Sequence, residues 1–483
     1  MTHRCKNYIG GEWVASKSAE VGQVVNPATA EVLAEVPMST EAEVRAAVAA
    51  ANEAFEEWRQ TPAVNRAAYL FRLRDRLEDE FEECARLLTT EHGKNLDESR
   101  GEVRRAIQMV EVAAGIPSLM QGYGSEDIAP GIDEYAVLQP LGVFDCLAPF
   151  NFPVMVPFWF LPFAVAAGNT YIVKPSPICP LSMEKAFEIL DGLALAPGVV
   201  NMVNGGADVA TALTTSPHVQ GTSFVGSSKV ARIVYRTCAE TGQRVQAQGG
   251  AKNFLTVMPD ANLDRAIPNM MAAIYGCTGQ RCLSGSVVLA VGEVYPALKE
   301  RLVEAAARLV VGNGLDEGVD VGPLTTADKK ENVLRWIQVG VDEGARLLLD
   351  GRTVQVGGLA DGFFVGPTVF DQVTPQMQIA SEEIFGPVVG IIRVRDLDEA
   401  IDVVNASRYG NASTVYTASG KTAREYRYRV DCGNIGINVG IAAPMAFFPF
   451  AGRKESFFGD LHGQGRDAIQ FFTDRKVIIE RWL

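Results

Sequence analysis

The sequence predicts an α/β protein with two doubly wound lobes and a small outlying β element. Three observations predict it. From about residue 141, apolar strand-like runs alternate with helix-like runs three times in succession. A second alternating series begins near QRVQAQGGAKNFLTVMPDANL and continues to about residue 450. A block of amphipathic helices precedes both, and the chain closes on a β-rich apolar run, FFTDRKVIIERWL. Repeated strand–helix units imply parallel sheets with helices on both faces. A length of 483 residues suits two or three domains with large cores.

In order, two strand-like pieces, NYIGGEWV and VGQVVNPATAEVLAEVP, open the chain. Thr40 and Glu43 form a capping-box pattern before the helix EVRAAVAAANEAFEEW. A second helix is expected through RAAYLFRLRDRLEDEFEECARLLTTEHG and a third through LDESRGEVRRAIQMVEVAAGIPSLM. Charges on such faces are usually solvated, and Arg104 and Arg105 carry no further meaning from periodicity alone. The apolar run 150–168 has the length to tempt a membrane reading. Pro153, Pro157 and Pro162 interrupt it and a strand follows directly, so it reads as a buried loop plus a core helix. GNTYIVKPS, GVVNMVNGG and VQGTSFVGS then read as strands, each followed by a helix. The tail and YAVLQP (135–140) can pair into a small sheet whose edge invites a partner chain.

Composition narrows the class. The chain is 47% hydrophobic and 21% charged, ordinary for a globular protein. A net charge of −14 argues against a nucleic-acid surface. Eight cysteines over this length are too sparse for a disulfide scaffold, and reduced thiols in a cytoplasmic setting are expected. No CxxC pair or HExxH pattern marks a metal centre, and the N-terminus MTHRCKNYIGGEWV carries no targeting pattern.

Candidate chemistry sits at strand ends and in one loop. YGCTGQRC (275–282) places Arg281 directly before Cys282. Either the guanidinium favours a nucleophilic thiolate, or Cys282 is an inert buried thiol and Arg281 points elsewhere. Lys174 falls at the end of one strand, and Gly226-Ser227 at the end of another, opening a helix. Ligands bind beyond such ends, and a helix N-terminus offers N–H groups to an anion. A surface lysine and an ordinary N-cap serine are the plain alternatives. No GxGxxG is present.

Five motifs in order, APFNFP (148–153), IVKPS (172–176), SFVGSSKVA (223–231), CTGQRC (277–282) and EEIFGPVV (382–389), resemble those of aldehyde dehydrogenases. The resemblance spans nearly the whole chain. It implies a Rossmann-like cofactor domain over 1–117 and 141–247, a catalytic domain over 248–450, and an oligomerisation element from 118–140 and 465–483. It implies that Cys282 is the nucleophile toward an aldehyde carbonyl. Asn151 is then the oxyanion donor, beside the backbone N–H of Cys282. Lys174 and Ser176 would meet the adenosine ribose, and Gly226 and Ser227 the pyrophosphate. Glu383 would hold the nicotinamide ribose and Phe385 would pack on the nicotinamide, although a core aromatic is the plain reading of the latter.

One departure redirects the chemistry. Aldehyde dehydrogenases commonly carry a glutamate base two residues before a Gly-Gly pair. Here VQAQGGAKN places Ala247 in that register, flanked by Gln246 and Gln248, and none of the three is a base. GAKN, GQRC and SFFGDLHGQG (456–465) resemble the branch of methylmalonate-semialdehyde dehydrogenases, which transfer the acyl group to coenzyme A. In that branch an arginine before the nucleophile and one on the third helix grip a substrate carboxylate. The matching residues are Arg281 and Arg105, with Arg104 kept open by helix register. KPSP puts Pro177 where an acid often contacts the adenosine ribose, so NAD is expected and NADP stays open. The resemblance thus implies NAD-dependent, CoA-acylating oxidation of a short carboxylated aldehyde by a homotetramer or homodimer. The alternative is hydrolysis, with Asp460 or an ordered water chain replacing the missing base.

Overall fold

The computed structural model describes residues 2–482. Two large sheets organise them. The first has eight strands, with Arg244–Gln248, Val219–Val225, Val143–Leu147, Thr170–Lys174 and Val200–Met202 running parallel at its centre. Antiparallel edges close it: Phe457–Gly459 on one side, Asn7–Ile9 and Glu12–Val14 on the other. Its central strands are fully buried over Val143–Leu147 and Thr170–Lys174, as sheets covered on both faces require. The second sheet has seven strands, six of them parallel, with Gly285–Val291 and Asn253–Val257 at its centre. A third sheet of three antiparallel strands joins Tyr123–Ala129, Ile132–Pro140 and Thr473–Glu480, so the tail and the YAVLQP segment do pair.

The helical block forms for local reasons. Thr40 and Glu43 cap Glu41–Trp58 reciprocally. The expected second helix is divided at Glu80 into Ala63–Asp79 and Phe81–His92. The second piece packs against Leu181–Asp191, where Lys185 pairs with Glu80 and Glu83. The third helix ends at Ala113, earlier than its apolar pattern suggests, and Ile116–Leu119 forms a separate turn at the Gly115–Pro117 interruption. The 150–168 run becomes Met155–Phe158 and Leu161–Ala167, almost wholly buried in the largest core cluster. Among the described residues, no helix is long and apolar enough to cross a membrane. All eight cysteines are free thiols.

Candidate active site

The helix Leu96–Ala113 carries Glu98, Glu102 and Arg105 at spacings of four and three, which place them on one face. That face meets the nucleophile loop across a cavity of about 210 Å³. Cys282, Arg281, Arg105, Glu98, Trp159 and Phe450 line it. Arg104 lies a step round the helix and pairs with Glu78 instead, and of the two only Arg105 lines the cavity. Arg105 has no carboxylate partner among the described residues; it donates to Gln108 Oε1 and the Met445 sulfur.

The loop is fixed by amides from several elements. The carbonyl of Cys282 accepts from Asn253 Nδ2 at 2.8 Å and from Asn411 Nδ2 at 2.7 Å. Gln280 Oε1 accepts from Thr325 N and Oγ1, and the Gln280 carbonyl accepts from Asn151 Nδ2 at 2.9 Å. One amide hydrogen of Asn151 is thereby committed to the loop. Cys277, Thr278 and Gly279 have φ values of 49°, 55° and 70°. Only glycine fits the last position, because a Cβ there would lie 2.0 Å from the Gly386 carbonyl oxygen. Two successive non-glycine residues in this region represent strain, which the surrounding bonds hold.

Beneath the loop, Lys94 and Glu102 form a fully buried ion pair at 2.6 Å. Lys94 Nζ also donates to the Asn151 carbonyl at 2.7 Å, and Glu102 accepts from Val154 N and Met155 N. This pair sets the segment that carries Asn151. Glu98 Oε1 accepts from Cys277 N at 2.6 Å and lies 3.7 Å from Arg281 Nη2. None of these supports was read from the sequence, though Asn95 and Glu98 carry the same capping-box signature as Thr40 and Glu43.

Arg281 turns back along its own loop. Its Nη2 donates to the Cys277 sulfur at 3.1 Å, not to Cys282. Its Nη1 is buried with no partner, on a residue that lines the cavity. Burial, reinforced by the Glu383 carboxylate, pushes the Cys282 thiol up to about 12, while Arg281 acts in the opposite direction. The guanidinium therefore offsets the cost of the thiolate without abolishing it.

The strand that carries Ala247 is buried over 246–248. Ala247 is fully buried, and it packs with Val143, Phe224 and Ala231 in the core of the first lobe. Strand alternation turns Gln248 the other way. Its Nε2 donates to the carbonyl of Phe450, a cavity residue, and its Oε1 has no partner. Neither Ala247 nor Gln248 lines the cavity, and neither is a base. Asp460 is exposed and lines a separate groove with Tyr235 and Arg244, away from Cys282.

Glu383 and Phe385 border a narrow cleft with Asn253, Gly279 and Arg281. Glu383 Oε1 accepts from Ala251 N at 2.9 Å, and burial raises its carboxyl to about 7. A Cβ on Gly250 would lie 2.6 Å from Glu383 Oε2 and 3.5 Å from Ser228 Oγ, so this glycine joins the cleft to the Gly226–Ser228 turn. Phe385 has φ of 59° and meets Phe150 edge to face. Lys174 is buried, contrary to the surface reading, and donates only to the carbonyls of Pro175 and Gly205. Burial pulls its ammonium down to about 8. Ser176 is buried, with Oγ accepting from Ile178 N. Ser227 is exposed and caps Ser228–Thr241. Lys329, which the sequence reading missed, places Nζ 4.0 Å from the Phe150 ring centre. A wider groove of about 1170 Å³ lies between Glu41–Trp58 and Ala207–Thr214, but no cysteine lines it.

A cysteine and two arginines line one cavity between two α/β lobes. The chain belongs to the aldehyde dehydrogenase family, whose model matches residues 13–478. It is 48% identical over 480 residues, 99% of each chain, to malonate-semialdehyde dehydrogenase 2 of Geobacillus thermodenitrificans. Two solved structures are similar over 100% of this chain and 99% of theirs. One, assigned as a methylmalonate-semialdehyde dehydrogenase of Sinorhizobium meliloti 1021 and complexed with NAD, has a TM-score of 0.99 at 39% identity. The other, a methylmalonate-semialdehyde dehydrogenase of Oceanimonas doudoroffii, has 0.98 at 40%.

Proposed function

We propose that the protein oxidises a short carboxylated aldehyde, malonate or methylmalonate semialdehyde, and delivers the acyl group to coenzyme A. The observation that carries the substrate class is the pairing of two arginines, Arg105 and Arg281, in one cavity with Cys282, one of them with a buried unpartnered Nη1. A substrate carboxylate held there by charge-assisted bonds orients the aldehyde over the thiol. Cys282 adds to the carbonyl carbon, and Asn151 Nδ2 with the Cys282 N–H receives the developing oxyanion.

The residues fit NAD. Gly250 leaves room at Glu383 that a Cβ would fill, and Lys174 has no carboxylate partner among the described residues. Lys174 and Ser176 would hold the adenosine ribose, Gly226 and Ser227 the pyrophosphate, and Glu383 with Phe385 the nicotinamide side. NAD when bound supplies the hydride acceptor. The acyl group then remains on Cys282 as a thioester. With Gln248 in place of a base, water is a poor acceptor and the CoA thiol resolves the thioester, the substrate carboxylate leaving as bicarbonate or CO₂. Pro177 does not repel a 2′-phosphate, but no added cation stands beside Lys174, which favours NAD over NADP.

The first sheet serves the cofactor and the second the chemistry. The strand Thr473–Glu480 exposes Val477 and Ile479, which suits a homodimer or homotetramer built on the third sheet. Eight free thiols suit the cytoplasm. NADH formation over a panel of anionic and neutral aldehydes, with and without CoA, tests the reading. Malonate or methylmalonate semialdehyde with CoA is expected to be fastest and to yield acetyl-CoA or propionyl-CoA. A preference for propanal, or free acid as the sole product, contradicts it.

A further inference from the structure

Outside the cavity that holds Cys282, the N-terminal segment and the helix Leu181–Asp191 bring three different donor types together. His3 Nε2 lies 2.8 Å from Glu184 Oε2, and the Cys5 sulfur completes a group whose ligand atoms all lie within 4.8 Å of one another. Backbone pairing holds the segment, and Glu184 already fastens it. The strand His3–Arg4 pairs with Val32–Pro37, Cys5 N donates to the Glu35 carbonyl, and Lys6 N donates to Glu184 Oε1 at 3.2 Å. Glu184 stands on the first turns of Leu181–Asp191, whose leading N–H groups are capped by the buried Glu91 carboxyl. Donors on two separate backbone elements thus converge without the metal having to assemble them.

We propose that His3, Cys5 and Glu184 form a binding site for a zinc-class divalent cation, with a fourth position left for water. The donor set decides the class. One sulfur, one imidazole nitrogen and one carboxylate oxygen suit a borderline-soft ion, whereas magnesium and calcium require mostly oxygen. Cys5 is 2% exposed and Glu184 is buried, while the His3 side chain is 53% exposed and offers an entry path. Without a cation the thiol sits beside two carboxyl groups, and burial together with Glu184 and Glu91 pushes its ionisation upward. A divalent charge reverses that balance: the thiol proton goes to solvent, the thiolate and the neutral imidazole bind, and Glu184 exchanges its contact with His3 for one with the ion. The site fastens the N-terminal strand to the helix that follows the Lys174–Pro180 loop. The site stands apart from the cavity at Cys282.

The test is Co²⁺ and Zn²⁺ titration of the full chain after chelator treatment. One equivalent of Co²⁺ is expected to give a thiolate-to-cobalt charge-transfer band, and Zn²⁺ to displace it and raise the melting temperature. Cys5→Ser should abolish the band, and Cys282→Ser should keep it. His3→Ala, at an exposed position that leaves the core untouched, should weaken Zn²⁺ at least about tenfold, since even outer-shell partners are worth that much. The proposal is overturned if no equivalent binds, if His3→Ala binds as the parent does, or if the band follows Cys282 instead of Cys5.

Discussion

The nucleophile loop and the cofactor edge are built in opposite ways. At the loop, Asn151, Asn253, Asn411 and Thr325, from four separate segments, all bond residues 280–282. Strained backbone at Cys277 and Thr278 is held in place by that network. At the carboxyl edge of the first sheet, where its central strands end, Ser227 is exposed and Lys174 bonds only to nearby carbonyls. Reacting atoms need fixed geometry, since a misplacement of about 1 Å can cost about 10² in rate. A cofactor that must enter and leave is better met by groups that exchange local bonds for ligand bonds. Substitutions around the loop should therefore cost far more than those at the edge.

The largest effect is expected at Cys282. Cys282→Ala should abolish aldehyde oxidation, whereas Cys277→Ala should retain turnover, because Cys277 touches Arg281 and only Cys282 among the cysteines lines the cavity. Equal loss in both variants, measured as NADH formation, would undo the assignment. Next comes the buried pair beneath Asn151. Lys94→Met leaves Glu102 buried and uncompensated, at a cost of about 3–5 kcal/mol of stability. Denaturant unfolding reads this directly. A variant as stable as the parent would mean the pair does not set the loop.

Substrate selection should respond more narrowly. Arg281→Leu and Arg105→Leu each remove a charged hydrogen-bonding group worth about 1.5–3 kcal/mol. Values of kcat/KM for a carboxylated aldehyde should fall about 10- to 150-fold, with propanal nearly spared. Equal losses on both substrates would show that the arginines do not read a carboxylate. The smallest change is expected at the edge. Lys174→Met should raise the KM for NAD while leaving a saturated kcat within a few-fold. Its stability effect has a defined sign. The folded-state pKa of Lys174 lies near 8, below the ordinary 10.5, so the native state holds fewer protons than the unfolded chain between those values. The parent therefore gains stability as pH rises from about 8 to about 10.5, and the variant lacks that gain. Parallel curves for the two proteins across this window would place the shift elsewhere.

What the sequence disclosed follows from what periodicity and motif spacing can carry. The strand–helix alternation located both parallel sheets, and the CTGQRC and EEIFGPVV motifs picked out residues that share a cleft. The break at Glu80 was hidden because the apolar period runs through it without a glycine or proline. Whether Arg281 meets Cys282 or points away was open in the sequence, and the turn at 276–279 carries the guanidinium back to Cys277. A Gly-Gly pair does not tell which way the residues before it face. Only strand alternation separates Ala247 in the core from Gln248 toward Phe450. The Lys94–Glu102 pair was unreadable, since nothing in a sequence distinguishes a buried ion pair from two solvated charges.

Gln248 also sharpens the chemistry. Gln248→Glu is the substitution that tests whether a carboxylate can restore hydrolysis, whereas a glutamate at 247 would be buried in an apolar cluster. The central claim is that the thioester on Cys282 waits for a thiol, and the most direct test is rapid mixing of enzyme, NAD and methylmalonate semialdehyde without CoA. The expected record is a burst of NADH close to one equivalent of active sites, followed by a slow steady state that CoA accelerates with release of propionyl-CoA. A fast linear record that is the same with and without CoA, with free acid as the only product, would contradict the account.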